Sequence, residues 1–249
     1  MKTIKDNFSK QSAGYQKFRP SYPQAVYDEI FRHVSNWLHA WDCGTGNGQV
    51  AVVLAEHFSK VSATDISESQ LQKATAKENI DYLKCRAAKT PFKDQQFDLI
   101  TVAQAIHWFD FSAFFQEVRR VGKKGGILAV WGYGLLRIDP AIDALMDNFY
   151  RNIIGPYWDA ERRHVDEQLS SIPFPFEKIK TDKIFSIGVQ WDYFQLEGYL
   201  KTWSSVQKYF NDHQQNPVDD LMKKIMNEWE EKEMKKIRFP IFIKLFKIK

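Results

Sequence analysis

Residues 41–48 read WDCGTGNG, in which one acid, Asp42, precedes three glycines at alternate positions, Gly44, Gly46 and Gly48. Glycine lacks a side chain, so a ligand can lie directly against such a loop and meet its backbone N–H groups. A second acid, Asp65, follows 17 residues after Gly48. A carboxylate there can accept from both hydroxyls of a ribose, and the interval is close to the ~20 residues usual for ribose-binding acids. His107 is a candidate general base, because an unperturbed imidazole titrates near neutrality. Gln104, at the end of an apolar run, is a candidate pocket residue. Arg19 has a planar fork suited to a carboxylate, or to a surface ion pair. Tyr133, Tyr157, Trp158, Arg162, Arg163 and His164 are further candidates for shaping a pocket.

The glycine spacing excludes two familiar ligand classes. A dinucleotide pyrophosphate calls for GxGxxG, and a triphosphate loop calls for GxxxxGK followed by Ser or Thr. Here the pattern is GxGxG, and Gln49 follows Gly48. The two cysteines, Cys43 and Cys85, belong to no CxxC pair or Cys/His cluster. No metal site and no disulfide framework is expected.

The elements that position these residues alternate in type. Residues 22–35 place Val26, Ile30 and Val34 on one helical face, with Pro23 in the first turn. WLHAWDC is a predicted buried strand, followed by a helix over 48–58. VSATD is a short strand, and Ser67 is expected to cap a helix over 68–78, leaving Asp65 for the ribose. DYLKCRA is a third strand and FDLITVAQA a fourth. The helix FSAFFQEVRRV and a fifth strand, GGILAVWGY, follow. Repeated alternation of this kind predicts parallel βαβ units in a Rossmann-like, doubly wound α/β sheet with helices on both faces. Ligands of such sheets bind at the carboxyl ends of the strands, where the strand order switches. WDCGTGNG is the first loop at that edge.

Beyond residue 133 the pattern changes. Residues 139–171 are expected to be helical, and 183–191 and 237–246 to be strands that bring the mostly parallel sheet to seven. No linker separates these parts. The expected organisation is a single domain over 1–249. Within it, 1–35 is an N-terminal segment ending in the first helix, 36–133 is the ligand-binding core, 134–175 is a helical insertion over the active-site edge, and 176–249 completes the sheet.

Composition bounds the function. The net charge of +4 is too small to announce a nucleic-acid surface. The basic residues gather in KEMKKIR and KLFKIK, as a solvated face and strand flanks would have them. No signal-peptide pattern opens the sequence, and no run approaches the ~18 apolar residues of a membrane span. A cytoplasmic protein without nucleic-acid or membrane partners is expected. Aromatics make up 15% of the chain, enough to fill a core and also to line a pocket for a partly apolar ligand.

DCGTGNG resembles the first motif of class I S-adenosylmethionine-dependent methyltransferases, an acid followed by GxGxG. The run Gln104-Ala105-Ile106-His107-Trp108-Phe109-Asp110 is similar to one in the trans-aconitate methyltransferase-like group. Phe8, Ala13, Tyr15, Arg19, Pro20, Tyr22 and Pro23 fit that group's opening, and Lys201-Thr202-Trp203-Ser204-Ser205 fits its turn after the sixth strand. The resemblance implies S-adenosylmethionine as cofactor, S-adenosylhomocysteine as product and no metal. It implies a cofactor site of Tyr15, Arg19, Asp42, Gly44, Thr45, Gly46, Gly48, Asp65, Ile66, Ala87, Ala88 and Gln104. His107 and Gln104 are the implied catalytic pair. The group often carries an acid where this chain has Ala88, within CRAAKTPF, so the usual partner of the adenine amino group is missing here.

Methyl transfer from a sulfonium is an in-line displacement, and the protein's task is alignment and exclusion of water. A base is needed only if the acceptor must lose a proton. The expected acceptor is a small molecule with a carboxylate, hydroxyl or thiol. An RNA or protein acceptor, or a binder of the cofactor without turnover, are the alternatives.

Overall fold

The structure, a computed structural model, describes residues 20–230 and 233–249. Its strands follow the apolar runs. FDLITVA becomes β4 (Phe97–Ala103), buried except at its last residue. It lies between β1 (His39–Cys43) and β5 (Gly122–Tyr133), parallel to both. On the other side of β1 come β2 (Lys60–Asp65) and then β3 (Ile80–Lys84), also parallel. Chain order thus runs outward from β1 to β3 and then jumps back across to β4. The switch point lies between the carboxyl ends of β1 and β4.

Successive strand residues face opposite sides of the sheet. Ala40, Val61 and Leu99 join the core under α1 (Gln24–Phe31) and α2 (Gln49–Leu54), with Val26, Ile30 and Leu54. Their neighbours Trp41 and Ile100, with Leu128, meet Phe114 and Val118 of α4 (Phe111–Val121) on the opposite face. Asp110 caps α4 by accepting from the Ala113 amide at 3.1 Å, so the Phe-rich stripe begins directly after the site loop. Helices on both faces of a mostly parallel sheet follow from the unbroken apolar runs of its central strands.

The outer edge departs from the expected seven strands. Antiparallel β8 (Lys235–Lys247) pairs β5 on one side. On its other side it pairs both β6 (Glu177–Ile179) and β7 (Phe185–Trp191), giving eight strands. β6 has three residues, two of them exposed, and so carries no apolar signal. The helix expected over 68–78 is only α3 (Glu68–Leu71). Gln70 is its one buried residue, so no apolar face carries the helix further. The helical stretch expected over 139–171 divides into α5 (Pro140–Asn148), a π turn (Phe149–Ile153), a 3-10 turn (Gly155–Tyr157) and α6 (Arg162–Asp166). Pro156 cannot continue a helical hydrogen-bond ladder, which accounts for the break. α7 (Tyr193–Lys201), α8 (Ser204–His213) and α9 (Pro217–Ile225) pack with α5 in a third core around Met146, Leu200, Trp203 and Phe239. No helix among the described residues is long and apolar enough to cross a membrane.

Candidate active site

The loop after β1 is pinned from below. The Gly44 and Thr45 amides both donate to the Thr64 carbonyl, at 2.8 and 2.9 Å. All three glycines have left-handed backbones, with φ of +73°, +56° and +82°. Their surroundings differ. A Cβ on Gly44 would lie 2.6 Å from the Ala105 Cβ, and one on Gly48 would lie 2.3 Å from the Tyr82 hydroxyl. A Cβ on Gly46 would meet nothing within 4 Å. Gly44 therefore admits the next strand's loop, Gly48 admits Tyr82, and Gly46 faces open space.

Two acids hold this loop from behind. Asp42 is buried at 1% exposure and accepts hydrogen bonds from the Thr45 and Thr101 hydroxyls. Burial pushes its carboxyl up to about 6, against the opposing pull of those two hydroxyls. Nearby Asp65 adds to the upward push. Asp65 itself accepts from the Gly46 amide at 2.9 Å with one oxygen and from the Ser67 amide at 2.8 Å with the other. A carboxylate oxygen can take more than one donor, so this fixing is compatible with ligand hydroxyls. Ser67 makes no side-chain cap, contrary to expectation, and its hydroxyl meets that of Ser69 at 3.1 Å. Asp65 supplies the turn's acceptor instead.

Above the loop lies a cavity of about 470 Å³. Asp42, Gly44, Thr45, Gly46, Asp65 and Ile66 line one end, and Ala87, Ala88 and Lys89 another. Thr90, next to these, is anchored by Glu117 of α4, which accepts from its amide at 2.8 Å and from its hydroxyl. Burial alone would raise the Glu117 carboxyl, but hydrogen bonds from Arg120 and Thr90 outweigh it and hold it below its ordinary value. A second, smaller cavity of about 70 Å³ lies under the 134–175 segment, lined in part by His107, Trp158, Arg162 and Trp203. Gln104, Trp108 and Tyr133 line both cavities, which adjoin at these residues.

Residues 41–130, from β1 into β5, match the family described as "Methyltransferase domain". A Dictyostelium discoideum chain named as a methyltransferase is 30% identical over 97% of this chain and 95% of its own length. The structure of a type II methyltransferase from Anaeromyxobacter dehalogenans shares 32% identity, with a TM-score of 0.86 over 93% of this chain and 98% of that one. A Saccharomyces cerevisiae chain named as an S-adenosylmethionine-dependent methyltransferase is 31% identical over 53% of this chain and 48% of its own.

The chain is a class I S-adenosylmethionine-dependent methyltransferase.

Within this methyltransferase the expected site residues divide into groups. Asp42, Gly44, Thr45, Gly46, Asp65, Ile66, Ala87, Ala88 and Gln104 come together around the large cavity. Gly48 does not line it; its place is set by Tyr82. Tyr15 and Arg19 lie outside the described residues, although Pro20 and Tyr22 just after them do line the cavity. His107 borders the small cavity and is 5% exposed, on a 3-10 turn (Ile106–Trp108). Gln104, at φ +52°, gives both ends of its amide to one neighbour. It accepts from the Tyr133 amide at 3.0 Å and donates to the Tyr133 carbonyl at 3.3 Å. The amide clamps the strand end, so a direct part in catalysis for Gln104 is not what its hydrogen bonds favour.

Of the other candidates, Tyr133, Trp158 and Arg162 line the small cavity. Tyr157 turns to His213, with 2.6 Å between hydroxyl and Nε2. Arg163 is exposed, and His164 is buried, bonded to the Ser171 hydroxyl at 2.8 Å. Sequence reasoning missed Glu161, which brings a carboxylate to the large cavity. Its signal was weak: one acid beside two arginines in a segment whose helix breaks could not be placed. Among the described residues no group of His, Cys, Asp and Glu is arranged to hold a metal.

Proposed function

We propose that this enzyme transfers the methyl group of S-adenosylmethionine to a small molecule carrying a carboxylate, hydroxyl or thiol. The observation that carries this reading is the wall shared by the two cavities. One cavity sits at the switch point with a ribose-binding acid and an open glycine. The other is small and lined in part by Trp158, Asp159 and Arg162 of the 134–175 segment. Acceptor and donor would meet where the two cavities adjoin, beside Gln104, Trp108 and Tyr133.

When bound, S-adenosylmethionine supplies a methyl group activated by its sulfonium. Asp65 would take the ribose hydroxyls, with Ile66 beside the adenine. The Gly44–Gly46 backbone would face the amino-acid end, and Glu161 offers a carboxylate to a cationic group. The backbone of Ala87 and Ala88 stands where an acid is usual. Tyr15 and Arg19 belong to an N-terminal segment proposed to cover the cofactor, a reading supported by Pro20 and Tyr22 on the cavity wall. Gln104 orients the wall through Tyr133. His107, on the acceptor side, would receive the proton of a protic acceptor. The QAxHWFD run and Thr202-Trp203-Ser204, which lines the small cavity, support the trans-aconitate methyltransferase-like group.

Ala88 favours a second reading, a binder without turnover. Calorimetric titration with S-adenosylmethionine, followed by release of labelled methyl to an acceptor panel, separates the two. Micromolar binding with transfer supports the enzyme. Binding without transfer to any acceptor supports the binder, and an acceptor limited to RNA or protein would refute the small-molecule reading.

A further inference from the structure

The small cavity names its guest by charge. Asp159 lines it but is paired with Lys208 at 2.7 Å. The Gln104 amide is engaged with Tyr133, and the Thr202 hydroxyl donates to the Tyr199 carbonyl at 2.6 Å. Arg162 is different. Its Nε donates to the Tyr150 hydroxyl at 2.7 Å and is ion-paired with Asp166 Oδ1 at 3.4 Å, and that hydroxyl donates to Asp166 at 2.7 Å. Its guanidinium lies 4.8 Å from the centre of the Trp158 ring. The head group is thus held at its inner nitrogen and on one face. Among the described residues neither terminal nitrogen has a hydrogen-bond partner. A preorganised guanidinium fork with open terminal donors is a carboxylate receptor. Around it stand Trp108, Trp158 and Trp203, an apolar lining.

The other candidate cations do not join it. Arg137 is bound by both nitrogens to Asp147, at 2.9 and 3.2 Å, and Arg163 is exposed. A cavity of about 70 Å³ holds about five water-sized units, which limits the guest's body. Helix α6, which carries Arg162, packs against the 3-10 turn of His107 and Trp108, and Trp108 belongs to the wall facing the cofactor cavity.

We infer that the acceptor is a small monocarboxylic acid with a short apolar body, that Arg162 binds its carboxylate, and that the product is its methyl ester. This rests on the methyltransferase reading of the two cavities. One carboxylate oxygen forms the new bond to the methyl carbon while the S–CH₃ bond breaks and its electron pair stays on sulfur. The carboxylate's negative charge and the sulfonium's positive charge cancel, giving a neutral ester and a neutral thioether. No proton moves, so no base is required. The ester keeps its apolar contacts but loses its charge-assisted hold on Arg162, which favours release. A tricarboxylate would leave two charges in an aromatic pocket without partners.

The test uses the full chain, S-adenosylmethionine labelled in the methyl group, and a panel of short aliphatic and aryl monocarboxylic acids, each with its amide and alcohol, and a tricarboxylate. Base-labile label reports ester formation. The expected result is ester from at least one monoacid and none from its amide. Arg162→Met is expected to raise that acid's KM roughly 10- to 100-fold. The cofactor's Kd should move less than about twofold, since Arg162 does not line the larger cavity. Arg162→Lys, which keeps the charge, guards against a folding defect and should recover part of the loss. Cofactor binding with no monoacid methylated, equal transfer to the amide, preference for the tricarboxylate, or an unchanged KM in Arg162→Met would each overturn the inference while leaving the methyltransferase reading intact. Failure to bind the cofactor at all would overturn that reading, and the inference with it.

Discussion

The Gly46 amide donates to Asp65 Oδ2 across 2.9 Å, joining the loop after β1 to the end of β2 over 19 positions of sequence. One acid thus shapes the glycine loop and lines the cavity that the loop bounds. Asp65→Ala is expected to weaken S-adenosylmethionine binding roughly 10- to 100-fold, the scale for losing hydrogen bonds to a charged group. Isothermal titration measures this directly. Affinity within threefold of the wild type would move the ribose contact elsewhere.

The three glycines should respond differently to alanine. Gly44→Ala and Gly48→Ala force contacts of 2.6 Å with Ala105 and 2.3 Å with the Tyr82 hydroxyl, so both should lower thermal stability. Gly46→Ala meets no atom within 4 Å and bears only the left-handed backbone strain, about 1–2 kcal/mol. Its main effect should be on cofactor affinity, because the new methyl group occupies ligand space. Adding Tyr82→Phe to Gly48→Ala removes the closest atom and should restore part of the stability. Equal melting temperatures for all three single variants would contradict this division.

That division marks what the sequence could and could not disclose. Asp42, Gly44, Gly46 and Asp65 were legible because each sits at the end of an apolar strand, where the topology must place the site. Gly48 looked equivalent, since the residue that explains it, Tyr82, lies 34 positions away on β3. The direction of the Gln104 side chain depends on where β5 ends, which no local pattern encodes. Strand β6 was silent because it is short and mostly exposed. The 134–175 segment was least legible: Trp158 and Arg162 could not be told from Tyr157, Arg163 and His164, and Glu161 was missed, because helical periodicity cannot place residues beyond a break.

Asp42 predicts a particular pH dependence. Its carboxyl titrates at about 6 in the folded chain against an ordinary value of 3.8. The folded state therefore holds this proton more tightly than the unfolded state does. Its contribution to stability is full below the unfolded value and is lost as pH rises from about 4 to about 6. Asp42→Asn cannot titrate, so its stability relative to wild type should improve over that window by up to about 3 kcal/mol. Urea unfolding of both proteins at several pH values between 4 and 7 checks this. Parallel stability curves would show that Asp42 titrates alike in both states.

Gln104 should act through Tyr133. Gln104→Ala removes both hydrogen bonds to the Tyr133 backbone and should cost about 1–3 kcal/mol in urea unfolding. Gly132→Ala disturbs the same amide, because its Cβ would lie 2.1 Å from the Gln104 Oε1, and it also presses on the Phe242 ring at 2.8 Å. Both variants should lower kcat with little change in cofactor Kd, since they disturb the wall rather than the loop. A double variant no worse than Gly132→Ala alone would confirm a shared path.

His107 separates the two chemistries open to this site. It is buried on the small-cavity side, on the turn that α6 packs against. A hydroxyl or thiol acceptor must lose a proton, and removing its base typically costs 10²- to 10⁴-fold in rate. A carboxylate at pH 7 has already lost its proton, since its ordinary pKa is about 4. With a monocarboxylic acid as acceptor, His107→Gln is therefore expected to change kcat less than about fivefold. Any effect should fall on the acceptor's KM through altered packing against Trp108, whose ring centre is 4.8 Å from that of His107. A hundredfold loss of kcat, with a pH dependence of the wild-type rate that the variant lacks, would make His107 the base and turn the acceptor from an acid into a protic nucleophile.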